Sequence, residues 1–159
     1  MSETTNYIYI GQYIGKTLTS KFIKTFTWSE LSHTSAILIR SKQVIEAWSG
    51  GITKRSITTG HAAGTIINIY KVPCTLNQRN KFYNFMEAQI GKKYDFVGIL
   101  GLPLRLDIEN ETKWFCSELV FSAALNAGIT LLARIEPYKV TPGILNTSPL
   151  LEFVETLTL

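Results

Sequence analysis

The chain reads as a single mixed α and β domain, and two observations carry that reading. Runs rich in β-branched and apolar residues (SHTSAILIR, VIEAW and GTIINIYKV) are set apart by turn residues, which is how strands joined by turns are written. Two further segments, one after Thr75 and one around Cys116, place apolar residues at helical spacing. The 159 residues leave little room for a second domain, so residues 1–159 are assigned to one. With 45% hydrophobic residues the chain can bury a core without structural metals or disulfides.

Taken in order, YIYI (residues 7–10) is a short strand that Gly11 ends. Thr17 or Thr19 caps a helix running to about Trp28, with Phe22, Ile23, Phe26 and Trp28 at helical spacing. Residues 34–40 form a strand, SKQ turns the chain, and VIEAW returns as a second strand. Ser49, Gly50 and Gly51 turn it again into ITKRSI, which alternates enough to be an edge strand. Residues 64–72 form the next strand, stopped by Pro73. Thr75 and Gln78 match a capping box for a helix carrying Leu76, Phe82, Phe85, Met86 and Ile90 and ended by Gly91. Residues 94–113, with their glycines, proline and polar DIENETK run, read as a long connection of the kind that shapes clefts. WFCSELVFSAALNAG is a clear helix stopped by Gly128, and TPGILNTSPLLEF wraps as a short helix and tail.

Sixteen Lys and Arg against twelve Asp and Glu give a formal charge of +4, scattered along the chain without a block or stripe. That excludes the concentrated basic patch of a nucleic-acid binder and permits weak peripheral contact with anionic surfaces. The two cysteines, Cys74 and Cys116, read as free thiols in a reducing compartment. No secretory leader is visible in MSETTNYIYIGQYIG, and FVGILGLPL is too short to span a membrane. A cytoplasmic location, in the producing cell or a phage's host, is the expectation.

A thiol in the first turn of a helix meets the positive end of the helix dipole and a set of unbonded backbone N–H groups. Both favour thiolate, and the same N–H groups can stabilise an oxyanion. Cys116 has that position, although a small cysteine packed in a helix against a sheet is the more common reading of such a residue. Only two histidines exist. His33 directly precedes a strand that could aim it, whereas His61, in TTGHAAG, is expected to be exposed in a turn. Glu46, in the middle of VIEAW, could orient the imidazole or simply face solvent; Glu118 fits the first turn of its helix as a partner of the dipole. The Cys and His residues at 33, 61, 74 and 116 lack the paired spacings of a zinc site, and no phosphate or dinucleotide loop is present. No metal or cofactor is expected.

The ordered segments KFIKTFTWSELSHTSAIL, VIEAWSGGI, KKYDFVGILG, KWFCSELVFSAALNAGI and VTPGILNTSPLLE resemble the circularly permuted branch of the NlpC/P60 papain-like superfamily. YiiX-like and YebB-like proteins are the nearest groups, with lecithin:retinol acyltransferase relatives further away. The resemblance covers residues 8–152. It implies an antiparallel sheet packed against the helix that bears the cysteine, with the histidine strand preceding that helix. By motif it assigns Cys116 as nucleophile, His33 as base and Glu46, 13 residues later on the next strand, as the group that orients the histidine. Tyr94 of the YDF motif, Trp114 and Trp48 are candidates for lining the substrate cleft. The implied activity is a cysteine peptidase or amidase acting on a peptide or peptidoglycan fragment. A lipid-like acyl substrate, hydrolysed or transferred, is the alternative, with FVGILGLPL lining an apolar tunnel. A non-catalytic interaction protein on the same scaffold is the third reading.

Overall fold

A computed structural model describes residues 6–48, 50–94 and 113–159. The strands are β1 (Asn6–Ile14), β2 (His33–Leu38), β3 (Gln43–Trp48), β4 (Gly51–Ser56), β5 (Ile66–Cys74), the short β6 (Lys93–Tyr94) and β7 (Lys113–Trp114), and β8 (Glu152–Thr158). The helices are α1 (Leu18–Thr27), α2 (Leu76–Ala88), α3 (Cys116–Asn126) and α4 (Pro142–Leu145), with one 3-10 turn at Pro137–Lys139. Six strands make one sheet in the order β4-β3-β2-β1-β5-β8, with every pairing antiparallel.

Strand alternation divides the apolar residues between two faces. Ile8 and Ile10 of β1, Ala36 of β2, Ile45 and Ala47 of β3 and Val72 of β5 meet Phe82 and Met86 of α2 and Leu119, Val120, Phe121, Ala123 and Ala124 of α3 in the main core. Tyr13, Ile37, Val44, Ile57, Ile67 and Ile69 form a smaller cluster on the other face. The helices start where their capping groups stand. Thr17 accepts from the Ser20 N–H, and Thr75 and Gln78 form the expected reciprocal box. Gly91 and Gly128 both have positive φ just beyond α2 and α3. The expected faces of α2 and α3 hold, although Leu76 and Ile90 at the ends of the α2 pattern are exposed, whereas in α1 Ile23 is buried but Phe22 is exposed.

Three expectations about ends are corrected. Gly11 does not stop β1, which continues to Ile14. A Cβ there would lie 3.0 Å from both the Ser35 hydroxyl and the Tyr13 ring, so Gly11 is a place of close side-chain approach inside a strand. Pro73 does not stop β5 either, and pairs with Tyr7 of β1. It is tolerated because the β8 pairing ends at Lys71, so past that point β5 is an edge and no partner needs the missing N–H. The expected C-terminal tail is β8, the sixth strand. Its side chains are mostly exposed, as at an edge, and Phe153 packs against Tyr70 at 5.8 Å. ITKRSI is an edge strand as expected. Trp28 caps α1 in the left-handed region and stands exposed, outside the apolar face assigned to it.

Among the described residues no helix is long and apolar enough to cross a membrane. The segment 96–104, expected to line an apolar tunnel, and Asp95 lie outside the described residues. The packing of α3 sets a stability prediction. Phe121 is fully buried between sheet and helices, so Phe121→Ala should cost about 3–5 kcal/mol. Leu18→Ala, at an exposed position, should stay within about 0.5 kcal/mol. Urea midpoints with unchanged slopes would show both.

Candidate active site

The site grows from one buried carboxylate. Glu46 sits in β3 and is fully buried; alternation turns it, with Val44, toward the smaller cluster. Its Oε2 lies 2.5 Å from Nε2 of His33, the first residue of β2, and 3.1 Å from Nε2 of His61. Arg55, from the adjacent strand β4, donates through Nε to Oε1 at 2.6 Å and pairs its Nη2 with the same oxygen. Strand pairing brings these groups together: β2 and β4 flank β3, so the neighbours of Glu46 come from both sides.

His61 is the residue the sequence reading missed. It is not exposed on a turn; its side chain is 5% accessible and it closes over Glu46. The loop that carries it folds tightly because Gly60, at φ +82, lies against the Arg55 guanidinium, where a Cβ would sit 1.8 Å from Nη1. The motif TTGHAAG contained that signal in its glycine, which reads as flexibility when taken alone. Aromatic rings wall the group. Tyr13 lies 4.9 Å from the His33 ring and 4.7 Å from His61, and Trp48 lies 4.7 Å from His33 and 5.3 Å from His61.

The protonation states follow from this geometry. Burial works to raise the Glu46 pKa, but the charge and hydrogen bond of His33, followed by the His61 hydrogen bond, outweigh it and hold the carboxyl well below the usual range. Burial lowers His33 below the ordinary imidazole value against the opposing pull of Glu46. We take the neutral imidazole and the ionised carboxylate as the resting pair, with Arg55 as the permanent cation. An ionised carboxylate only accepts hydrogen bonds, so His33 and His61 each carry a proton on Nε2. That leaves the lone pair of His33 on Nδ1, a buried atom without a hydrogen-bond partner.

Cys116 opens α3 after Phe115, whose N–H donates to the Glu118 carboxylate at 3.2 Å. Ser117 anchors the helix start by donating its hydroxyl to the Val140 carbonyl at 2.5 Å, a tie across 23 residues. The sulfur is fully buried in the helix-side core. Burial pushes its pKa up to about 12, against hydrogen bonds from the Thr34 and Ser117 backbone. The expected resting thiolate is therefore corrected: at this helix start desolvation outweighs the dipole and the N–H groups. Cys116 rests against the peptide of the residue directly after His33, yet no hydrogen bond joins sulfur and imidazole. Thr34 and Ala36 face the helices, while His33 turns with Ile37 toward the smaller cluster.

Of the other candidates, Trp48 stands at the site. Trp114 donates its Nε1–H to Gln89 at 3.1 Å and packs edge-on to Phe85, which ties it to α2 and the segment after it. Tyr94 is buried with its ring 6.2 Å from Phe115. Cys74 and Cys116 are both free. The spacing of the cysteines and histidines predicts no zinc site. The structure instead joins His33 and His61 to Glu46, one ligand atom from each within 4.8 Å of the others.

Acid stability tests this electrostatic assignment. The folded pKa of His33 lies below its unfolded value of about 6.5, and that of Glu46 below about 4.3. In both cases the unfolded chain gains protons first as pH falls, so the stabilisation is complete above those unfolded values and is lost on acidification. The urea midpoint should fall below about pH 6.5 and more steeply below about pH 4.3. Glu46→Gln should remove the second step and cost about 3–5 kcal/mol at pH 7, because Arg55 loses its carboxylate. A midpoint flat from pH 8 to pH 4 would overturn the assignment.

Comparison with protein-family models gave no match, and comparison with curated proteins gave none. Among solved structures, the chain is similar to one described as the metalloprotein YiiX from Escherichia coli O157:H7, DUF1105. The TM-score is 0.69 at 19% sequence identity, over 96% of this chain and 98% of that one. At that identity the likeness establishes the fold: this chain has the YiiX-type α+β architecture, a papain-like antiparallel sheet packed against helices.

Proposed function

We propose that the chain is a thiol hydrolase that cleaves an amide or peptide bond through a thioester on Cys116. The observation that carries this reading is the state of His33. Its Nε2 is committed to Glu46, its basic Nδ1 has no partner, and Cys116 rests against the peptide that follows it. Glu46 fixes the tautomer, as the third member of a catalytic triad does. The order His33, Glu46, Cys116 along the chain agrees with the permuted NlpC/P60 pattern.

Cys116 is a thiol at rest, so deprotonation belongs to the catalytic step. His33 turns Nδ1 toward the α3 start and takes the proton as sulfur attacks the carbonyl carbon. Backbone N–H groups at the α3 start receive the oxyanion. The amine leaves with the proton from His33, and water, deprotonated by His33, then releases the acid from the thioester. The same steps serve an ester substrate, and an amine in place of water makes the reaction acyl transfer. Substrates of either kind, peptide, peptidoglycan fragment or lipid-like acyl group, enter through the same cysteine, and Trp48 is the aromatic placed to border them.

A second reading has its own observation. Two imidazoles and a carboxylate converge within 4.8 Å, and the similar YiiX structure is described as a metalloprotein. The donor set fits one divalent transition-metal ion: His33 and His61 supply nitrogen, and Glu46 supplies Oε2 while Arg55 holds Oε1. When bound, such an ion supplies Lewis acidity and lowers the pKa of a coordinated water. Tyr13 and Trp48 exclude solvent around those ligands.

Incubation with p-nitrophenyl acyl esters and peptide anilides tests the first reading. An acyl adduct on Cys116 and not Cys74 is expected by peptide mass mapping. Cys116→Ala should abolish turnover, and His33→Ala should reduce it about 10²–10⁴-fold. Full turnover in Cys116→Ala would end the thiol reading.

A further inference from the structure

We infer that metal binding at His33, Glu46 and His61 and thiol chemistry at His33 exclude each other through the position of one proton. The inference rests on both readings above and adds a regulatory link between them. A neutral imidazole has one N–H and one lone pair. Here both imidazoles direct Nε2 at the same oxygen, Glu46 Oε2, at 2.5 and 3.1 Å. His33 therefore keeps its lone pair on Nδ1, where it serves as the base.

Nε2 of His33 faces Glu46 and His61, so Nε2 is the nitrogen this side chain presents to an ion held by all three. To ligate, Nε2 needs its lone pair, and the single proton of His33 must then reside on Nδ1. His61 makes the same exchange. For a neutral imidazole no proton is gained or lost: an N–H···O bond to Glu46 gives way to a nitrogen–metal bond. A His33 protonated on Nδ1 has no lone pair left to accept the Cys116 proton, and its Nε2 is occupied.

The geometry makes the exchange short. Tetrahedral zinc with bonds of about 2.0–2.1 Å has ligand–ligand edges of ~3.3 Å. The 3.1 Å His61–Glu46 separation is already near that edge, the 2.5 Å His33–Glu46 contact must open, and the two imidazoles, with all three ligand atoms within 4.8 Å, must draw together. His33 heads its strand, and His61 rides on the loop turned by Gly60. Arg55 keeps its bonds to Oε1 and leaves Oε2 to the ion. The site thus selects a borderline divalent ion that accepts imidazole nitrogen, of the zinc class, over calcium or magnesium.

The test titrates zinc chloride into the full ¹⁵N-labelled chain, reads stoichiometry by native mass spectrometry, and reads the histidine tautomers by long-range ¹⁵N–¹H correlation. Acyl-ester cleavage is followed in parallel. His61→Gln, which keeps a hydrogen-bond donor near Glu46, is the comparison variant, with circular dichroism to confirm its fold. The expected result is one zinc per chain, conversion of His33 and His61 from Nε2–H to Nδ1–H, and loss of ester cleavage in step with zinc occupancy. His61→Gln should lose the zinc and the zinc-dependent tautomer change together. Absence of zinc from the wild type would overturn the metal reading and this inference, leaving the thiol reading standing. Zinc bound with His33 still Nε2–H would overturn the inference alone. A converted tautomer with undiminished cleavage would overturn it too, and would remove His33 as the base. Equal loss of cleavage in His61→Gln would place zinc on the sulfur and overturn the exclusion proposed here.

Discussion

The burial of an ionised carboxylate in the middle of a sheet is the constraint on which the site depends. Glu46 has no contact with solvent, and a lone carboxylate there would cost several kcal/mol or lose its charge. Both oxygens are therefore claimed: Oε1 by Arg55, Oε2 by His33 and His61. That arrangement fixes much else. It requires β4 to lie next to β3 so that Arg55 can reach, and β2 on the other side so that His33 can. It draws the loop after β4 back over the sheet, with Gly60 permitting the close pass over the guanidinium. Tyr13, from β1, then covers the imidazoles with a ring whose hydroxyl is itself satisfied by Ser35 at 2.9 Å. A small mixed domain gives part of its limited interior to this polar group, which is why the proposed chemistry is placed there.

Much of this was legible in the residues. The strands of the meander, both long helices, the capping box at Thr75 and the His33–Glu46 pairing all follow from patterns that operate over a few residues or from one motif resemblance. What escaped has a common cause. Gly11, Pro73 and β8 were misread because Gly and Pro act as local punctuation only when no neighbouring strand decides otherwise, and the register of β1, β5 and β8 is set by pairing partners far away in sequence. His61 escaped for the same reason. Its loop sequence is polar and glycine-rich, and only the long-range attraction of a buried carboxylate makes it an interior residue.

Cys116 shows a local rule losing to a tertiary one. Position at a helix start favours thiolate, and the backbone hydrogen bonds of Thr34, Ser117 and Cys116 itself to the sulfur act in that direction. Both effects are worth on the order of 1–2 kcal/mol at a partly buried helix end. Complete desolvation of a small anion costs more than that, and Glu46, itself negative, adds to the penalty. The result is a protected thiol that does not react indiscriminately. In the proposed mechanism such a thiol is activated by arrival of substrate, which brings the carbonyl to accept charge as the proton moves to His33.

The two faces of β2 give this arrangement its logic. The imidazole belongs to the polar cluster on one side and the sulfur to the helix-side core on the other, with the Thr34 peptide between the two environments. His33 pairs with Tyr13 of β1 on one side, while on the other the β2 pairing with β3 begins only at Ala36. The backbone of His33 is thus held by β1 and its ring by the hydrogen bond to Glu46. A short, charge-assisted bond favours the parked orientation. The carboxylate that fixes the His33 tautomer therefore also holds the orientation of its ring.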